Sequence, residues 1–278
     1  MSAGTRLIVN ADDFGIAEAV NRGIAEAYDR GIVTSASIMA TGQGFEHAVA
    51  LARERPKLGI GVHLVLTEQR PLAGAHVPTL VGPDGRFAPH AVGLAGRQLG
   101  ARISLRDVKV ELDAQIRRVR AAGLAVTHLD GHQHVHVLPG VARVVAELAT
   151  AHGIVAVRYP AERLRAYMLQ SPRGWKRLVE QAAVQACCAA SPFSHLRHSD
   201  DFVGFYFGGR LDESNLRIVL DDLPPARTIE LMCHPGQADM RADGWQYAWA
   251  AELAALTSPR VRELLTARRV ELISHRDL

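Results

Sequence analysis

Between Thr127 and His136 the chain reads Thr-His-Leu-Asp-Gly-His-Gln-His-Val-His, four imidazoles and a carboxylate directly after the short apolar run around Leu124 and Val126. Imidazole is the commonest metal ligand and an acid or base near neutral pH, so rings crowded at a strand end suggest hydrolytic metal chemistry. If the strand stays extended past Asp130-Gly131, then His132, His134 and His136 share one side, because strand side chains alternate with period two. A polar loop of solvated histidines explains any one of them, but explains the whole cluster poorly.

Further chemistry-bearing residues stand at the ends of other apolar runs. Arg6–Asn10 stops at Ala11-Asp12-Asp13-Phe14-Gly15. In Lys57–Leu66 the aliphatic Leu58, Ile60, Val62 and Leu64 alternate with Gly59, Gly61 and His63, which puts His63 on the opposite face. Val155–Arg158 ends in Arg158-Tyr159-Pro160, and Thr228–Cys233 in His234-Pro235-Gly236. One carboxylate and two imidazoles can hold a divalent ion while leaving positions for water and substrate. Of two adjacent acids, the other can take the proton of an attacking water, with a cation such as Arg158 keeping it ionised. His234, on a separate strand, can return a proton to a departing amine. A helix-capping turn, a surface salt bridge and a Pro-Gly turn are the ordinary uses of Asp12-Asp13, Arg158 and His234.

The elements that must position these groups alternate between strand and helix. Helical periods run through 16–30, 45–54, 105–119, 139–152, 178–190, 211–223, 247–256 and 260–267, between strands near 6–10, 35–40, 57–66, 124–130, 155–158, 202–207, 228–233 and 270–273. The Gly- and Pro-rich stretch Thr67–Gly100 has no sustained period and reads as a long loop after a strand. Seven or eight such units without a linker predict one α/β domain over 1–278, and suit a (β/α)7–8 barrel better than an open sheet. The polar signals fall at the carboxyl ends of its strands, where barrels carry their sites. A helical insertion at about 161–200 sets Arg163, Arg165, Arg173, Lys176 and Arg177 ahead of the apolar Leu178–Ala190. Such a segment packs on the domain, lies on a membrane surface or covers a greasy substrate.

Composition narrows the class. With 48% hydrophobic and 22% charged residues and a formal charge of +3, the balance is that of an ordinary globular protein, and the basic residues are too dispersed for a nucleic-acid footprint. Cys187, Cys188 and Cys233 form neither a disulfide framework nor a CxxC pair, which fits a reducing compartment. The start of the chain runs straight into Leu7-Ile8-Val9 without the apolar core of a signal peptide, and no apolar run reaches spanning length. A cytoplasmic location follows as the expectation, with attachment to the inner face of a membrane left open.

Asn10-Ala-Asp-Asp-Phe-Gly15, Gly61-Val-His-Leu64, His128-Leu-Asp-Gly-His-Gln-His-Val-His136 and Met232-Cys-His-Pro-Gly236, in this order, resemble the YdjC-like carbohydrate deacetylases, a family that includes chitooligosaccharide and hopanoid-biosynthesis deacetylases. The resemblance implies a distorted (β/α) barrel related to the polysaccharide deacetylases, and metal-dependent removal of acetyl from an N-acetylated amino sugar. By position it implies Asp13, His63 and His132 as metal ligands, Asp12 as base, Arg158 as the group orienting that base, and His234 as acid. His136, Asp130 and Phe14 are expected to contact substrate, and His134 receives no role. Zn or Mg is the expected ion, with Mn, Co and Ni compatible with the same ligands. Val157-Arg-Tyr-Pro-Ala-Glu162 followed by the insertion looks most like the hopanoid-associated branch, whose substrate would be a glycolipid carrying N-acetylglucosamine.

Three rivals use similar residues. A metal-dependent phosphoesterase or other amidohydrolase also places His-x-His at a strand end, though usually near the first strand. A sugar-binding protein could keep the pit and lose turnover, against which stand Asp12 and His234. A non-haem iron oxygenase uses two histidines and a carboxylate, but in an all-β setting.

Overall fold

Apolar residues with β-branched members, separated by amphipathic helices, fold here into strands that, apart from the last, are buried along most of their length. The computed structural model describes residues 4–170, 174–237 and 247–278, and Arg173 of the basic segment lies outside them. The strands are β1 (Arg6–Phe14), β2 (Ser35–Ile38), β3 (Gly59–Leu64), β4 (Val126–Gly131), β5 (Ala156–Val157), β6 (Asp201–Val203), β7 (Thr228–Cys233) and β8 (Glu271–Ile273). They form one parallel sheet in the order β5-β4-β3-β2-β1-β7-β6, with β8 against β1. β8 pairs with Arg6–Ile8, and β2 with Asn10, Ala11 and Phe14. Burial of both faces is what a parallel sheet wrapped by helices requires.

The sheet curls into a distorted barrel that is incompletely closed. Its two ends meet where the Val157 N–H donates to the Arg197 carbonyl at 2.9 Å and the Arg197 N–H to that of Val155 at 2.8 Å, just ahead of β6. Around it lie α1 (Glu18–Asp29), α2 (Phe45–Arg53), α3 (Ala91–Leu99), α4 (Leu105–Ala121), α5 (Val141–His152), α6 (Trp175–Ala189), α7 (Glu213–Asp221), α8 (Trp249–Leu256) and α9 (Pro259–Ala267). Gly61 illustrates the tightness of the interior. A Cβ there would meet the ring of His128, its partner across β3 and β4, at 2.3 Å from Nε2. The β-carbon of any other residue would displace that ring.

Three expectations are corrected. The stretch Thr67–Gly100 is not structureless, because it contains α3, and buried polar groups of α4 pin it down. Glu111 accepts from the backbone N–H groups of Leu72 and Ala73, and Asp107 from that of Thr79. The strand placed at 202–207 is only Asp201–Val203, followed by a turn that opens with Gly204 at φ 105°. Most consequential, β4 ends at Gly131 and residues 132–137 form a 3-10 turn, with Gln133 and His134 in the left-handed region at φ 53° and 56°. The period-two alignment of His132, His134 and His136 therefore does not exist. A turn aims each ring separately. The insertion holds a 3-10 turn at Ala166–Gln170, then α6. Among the described residues no helix is long and apolar enough to cross a membrane.

Candidate metal centre

Two consecutive strand residues ordinarily face opposite sides of a sheet. Asp12 and Asp13 escape this because the register of β1 against β2 shifts between Ala11 and Phe14 and Asp13 adopts φ 65°, a left-handed conformation that Asp tolerates better than most residues. Asp13 Oδ1 lies 3.3 Å from His63 Nε2 and 3.0 Å from His132 Nδ1. The ligand atoms that these three buried residues offer lie within 4.8 Å of one another, a separation suited to one ion. His63 is held by its other nitrogen, since Nδ1–H donates to Asp130 Oδ1 at 2.9 Å, which leaves Nε2 facing Asp13. A carboxylate behind a ligating imidazole fixes its tautomer and raises its basicity.

Asp12 reaches the same site but has different partners. Arg158, fully buried, donates to it through both ends of its guanidinium, Nη1 to Oδ2 at 2.6 Å and Nη2 to Oδ1 at 2.7 Å. The same guanidinium lies 2.9 Å from Asp130 Oδ2 and donates from Nε to Glu230 at 2.7 Å. Asn10 Nδ2 adds a bond to Asp12 Oδ1, whereas among the described residues Oδ2 accepts only from Arg158, so a lone pair remains there for a water. His234 is 5% exposed, its backbone N–H donating to Glu252 at 2.6 Å and its ring 4.7 Å from that of Tyr247.

The electrostatics follow from burial and partners. Burial alone would push the Asp12 carboxyl up, but the charge and hydrogen bonds of Arg158 outweigh it and hold the group far below the usual carboxylate range. Asp13 is likewise held down against burial, by His132 and His63. Burial opposes a charge on His63, yet Asp130 and Asp13 push its pKa up to about 10, and His132 is raised in the same way by Asp13 and Glu68. Imidazoles that keep protons in so dry a place do so because carboxylates surround them, so the donor set suits a divalent cation in their stead. Metal uptake must then release protons. Its apparent affinity is expected to rise with pH through the neutral range and toward about 10, where His63 loses its proton unaided, by about tenfold per pH unit for each proton released. Calorimetry in buffers of different ionisation enthalpy measures that count, and zero proton release would contradict the arrangement.

Of the sequence-predicted residues, the structure brings together Asp12, Asp13, His63, His132 and Arg158, with His234 at the end of the neighbouring β7. The three residues expected to contact substrate are buried in this structure, as the metal-site residues themselves are. Phe14, 1% exposed, is part of the apolar core. Asp130 is fully buried between His63 and Arg158. His136 is fully buried too, donating from Nε2 to the Arg158 carbonyl at 3.1 Å with its ring parallel to Phe193. Asp130 and His136 both contact groups of the site, Asp130 through His63 and Arg158 and His136 through the Arg158 carbonyl. Burial and the charge of Arg158 keep the His136 ring neutral, its pKa down to about 4 despite Asp130.

The sequence reading missed Glu68, Glu230 and Glu252. Two of them had a signal: Glu230 is the one charge inside the apolar strand Thr228–Cys233, and Glu252 the one charge inside the apolar helix Trp249–Leu256. Glu68 stands four residues past the end of β3, where nothing in the spacing marks it.

Known proteins share this chain from end to end. The family model described as YdjC-like protein matches residues 6–267. A carbohydrate deacetylase of Clostridium beijerinckii is 33% identical over 277 residues, covering 98% of this chain and 100% of the relative. A carbohydrate deacetylase of Geobacillus stearothermophilus is 37% identical over 273 residues, 97% of this chain and 96% of the relative. A crystal structure from Enterococcus faecalis V583, presented as a candidate cellobiose-phosphate cleavage protein, superposes with a TM-score of 0.80 at 27% identity over 99% of both chains. With a match of this extent laid over the Asp-His-His cluster and its arginine-clamped neighbour, the chain belongs to the YdjC-like family.

Proposed function

We propose that this protein is a metal-dependent carbohydrate deacetylase that hydrolyses the acetamide of an N-acetylated amino sugar. The observation that carries the reading is the pairing of Asp13, His63 and His132 with Asp12, a carboxylate clamped by Arg158 and spare of one lone pair. The names of the relatives support the substrate class. When bound, a divalent ion supplies a Lewis acid for the acetyl carbonyl and acidifies a water toward a pKa of ~7. Asp12, ionised and fixed in plane by Arg158, takes a proton from the attacking water. His234 gives a proton to the nitrogen as the C–N bond breaks and the C–O bond forms, leaving acetate and a free amine. Asp130 keeps His63 in one tautomer and braces the guanidinium that aligns the base.

The acceptor we infer is an N-acetylglucosamine unit carried on a lipid, hopanoids among the candidates. Supporting this, Leu164, Leu169, Trp175 and Val179 are 60–69% exposed in the insertion. Arg163 and Lys176 are exposed among them, and α6 packs beside the turn that carries His132. Exposed apolar residues interspersed with cations suit the boundary of a bilayer, which supports a location at a membrane surface without spanning it.

The test is acetate release from N-acetylglucosamine presented free, as an oligosaccharide and on a lipid, with Zn, Mg, Mn, Co and Ni each added to chelator-treated protein. Metal-dependent acetate release supports the reading, greatest on the lipid-linked sugar. Phosphate release from phosphorylated sugars without acetate release would transfer the same site to phosphoesterase chemistry.

A further inference from the structure

We propose that Glu68 and Gln133 form a clamp that positions the metal ligand His132 and ties the loop 67–100 to the metal centre, an inference that rests on the metal reading above. Three observations lead to it. The first is ring accounting. With Nδ1 of His132 at 3.0 Å from Asp13, its Nε2 is directed at Glu68 Oε2, 3.3 Å away. Glu68 therefore stands to His132 as Asp130 stands to His63, so each imidazole of the cluster has its own carboxylate behind it.

The second is backbone conformation. Glu68 (φ 64°) and Gln133 (φ 53°) both occupy the left-handed region, which disfavours a non-glycine residue and persists where the surroundings hold it. What holds them is each other, because Gln133 Nε2 donates to Glu68 Oε1 at 3.0 Å. The third is what lies on either side. Gln133 Oε1 accepts the N–H of Ala91, the first residue of α3, at 2.7 Å. The Glu68 N–H donates to the Ala88 carbonyl at 2.9 Å, bringing the segment just ahead of α3 back onto the start of the loop. The carboxylate that orients a metal ligand thus also holds Gln133, which fastens the start of α3, while the Glu68 backbone holds Ala88. Ordering of this loop and occupancy of the metal centre become one event, with Glu68 and Gln133 acting as positioning residues.

Metal binding is measured on chelator-treated full-length protein with Zn²⁺ as the probe, by calorimetry, alongside amide hydrogen exchange. Glu68→Ala is expected to weaken Zn²⁺ binding by about 10–100-fold, the effect usual for loss of a carboxylate behind a ligating imidazole. Glu68→Gln, which keeps an acceptor oxygen without the charge, should recover part of that loss. In the unaltered protein, Zn²⁺ should slow exchange of amides in 67–91, and in Glu68→Ala and Gln133→Ala that response should vanish even at saturating Zn²⁺. A general structural defect would instead speed exchange throughout the barrel and leave Glu68→Gln no better than Glu68→Ala. Wild-type Zn²⁺ affinity in Glu68→Ala overturns the proposal, as does an unchanged exchange response in both alanine variants. His63→Ala separates the two readings. If it loses Zn²⁺ while Glu68→Ala does not, only the clamp falls; if His63→Ala also binds as the unaltered protein does, the metal centre itself is misplaced.

Discussion

Asp12→Asn is expected to lower kcat for acetate release by ~10²–10⁴-fold, the range typical of a lost general base, while Zn²⁺ still binds at Asp13, His63 and His132. The separation arises because Asp12 and Asp13, though adjacent, are turned toward different partners by the bulge in β1. Asp13 faces two imidazoles, and Asp12 faces a guanidinium. An amide at position 12 cannot take up the proton of a water. It also presents an N–H to one arm of Arg158, which leaves a buried donor opposed and costs roughly 1–3 kcal/mol of stability. Steady-state kinetics must therefore be normalised to folded, metal-loaded protein, with metal content and melting temperature measured on the same sample. A variant with full metal content and undiminished kcat would mean that the proton leaves by another route. Equal loss of metal and turnover would assign Asp12 to the ion rather than to the water.

The parts of the fold that could be read ahead of the structure are those where local pattern and tertiary role coincide. Alternation in Leu58–Leu64 located both β3 and the inward His63, and the 3.6-residue period of Leu105–Val119 located α4. Strand ends are also where polar residues interrupt apolar runs, so Asp12, Asp13, Arg158 and His234 stood out before any contact was known. The failures have physical causes. Two successive residues in the left-handed region end β4 early, and a regular period cannot anticipate this, because only long-range bonds such as Gln133 to Glu68 and Ala91 hold such a conformation. The helix Ala91–Leu99 was lost among the glycines of its loop; its one buried residue is Leu94, too little to set up a visible stripe. The surroundings of Asp130 and His136 could not be read for a third reason. Polarity in a motif reveals that a residue belongs to a site but not on which side of the catalytic groups it stands, and Asp130 and His136 stand behind them. Glu230 answers Arg158 from a distant strand, a relation that lives only in three dimensions.

Arg158→Met should produce the largest loss of stability of any single change near the site, about 3–5 kcal/mol, the usual result of removing one partner from a buried ion cluster. The guanidinium is the shared counter-ion of Asp12, Asp130 and Glu230, all of them buried and on three different strands, so its removal leaves three carboxylates facing one another without water. The pH dependence should reverse with it. In the unaltered chain Asp12 and Glu230 are held below their ordinary values by Arg158, so their contribution is present above the usual carboxylate range and is lost as pH falls through the lowered values. In Arg158→Met, burial is opposed only by the histidines, His63 and His234 at Asp12 and His275 at Glu230, and is expected to raise these carboxyls above their unfolded values. Destabilisation is then greatest at neutral pH, and falling pH relieves it as the groups become neutral. Urea midpoints of metal-free protein between pH 8 and pH 5 should thus climb for Arg158→Met over the interval in which the unaltered protein shows no such gain. Arg158→Lys restores the charge but not the two parallel bonds, because an ammonium cannot span a carboxylate as a guanidinium does. It should recover much of the stability while kcat stays low, which would distinguish alignment of the base from simple neutralisation of charge. Should Arg158→Lys instead turn over like the unaltered enzyme, the planar clamp on Asp12 would have no part in the reaction.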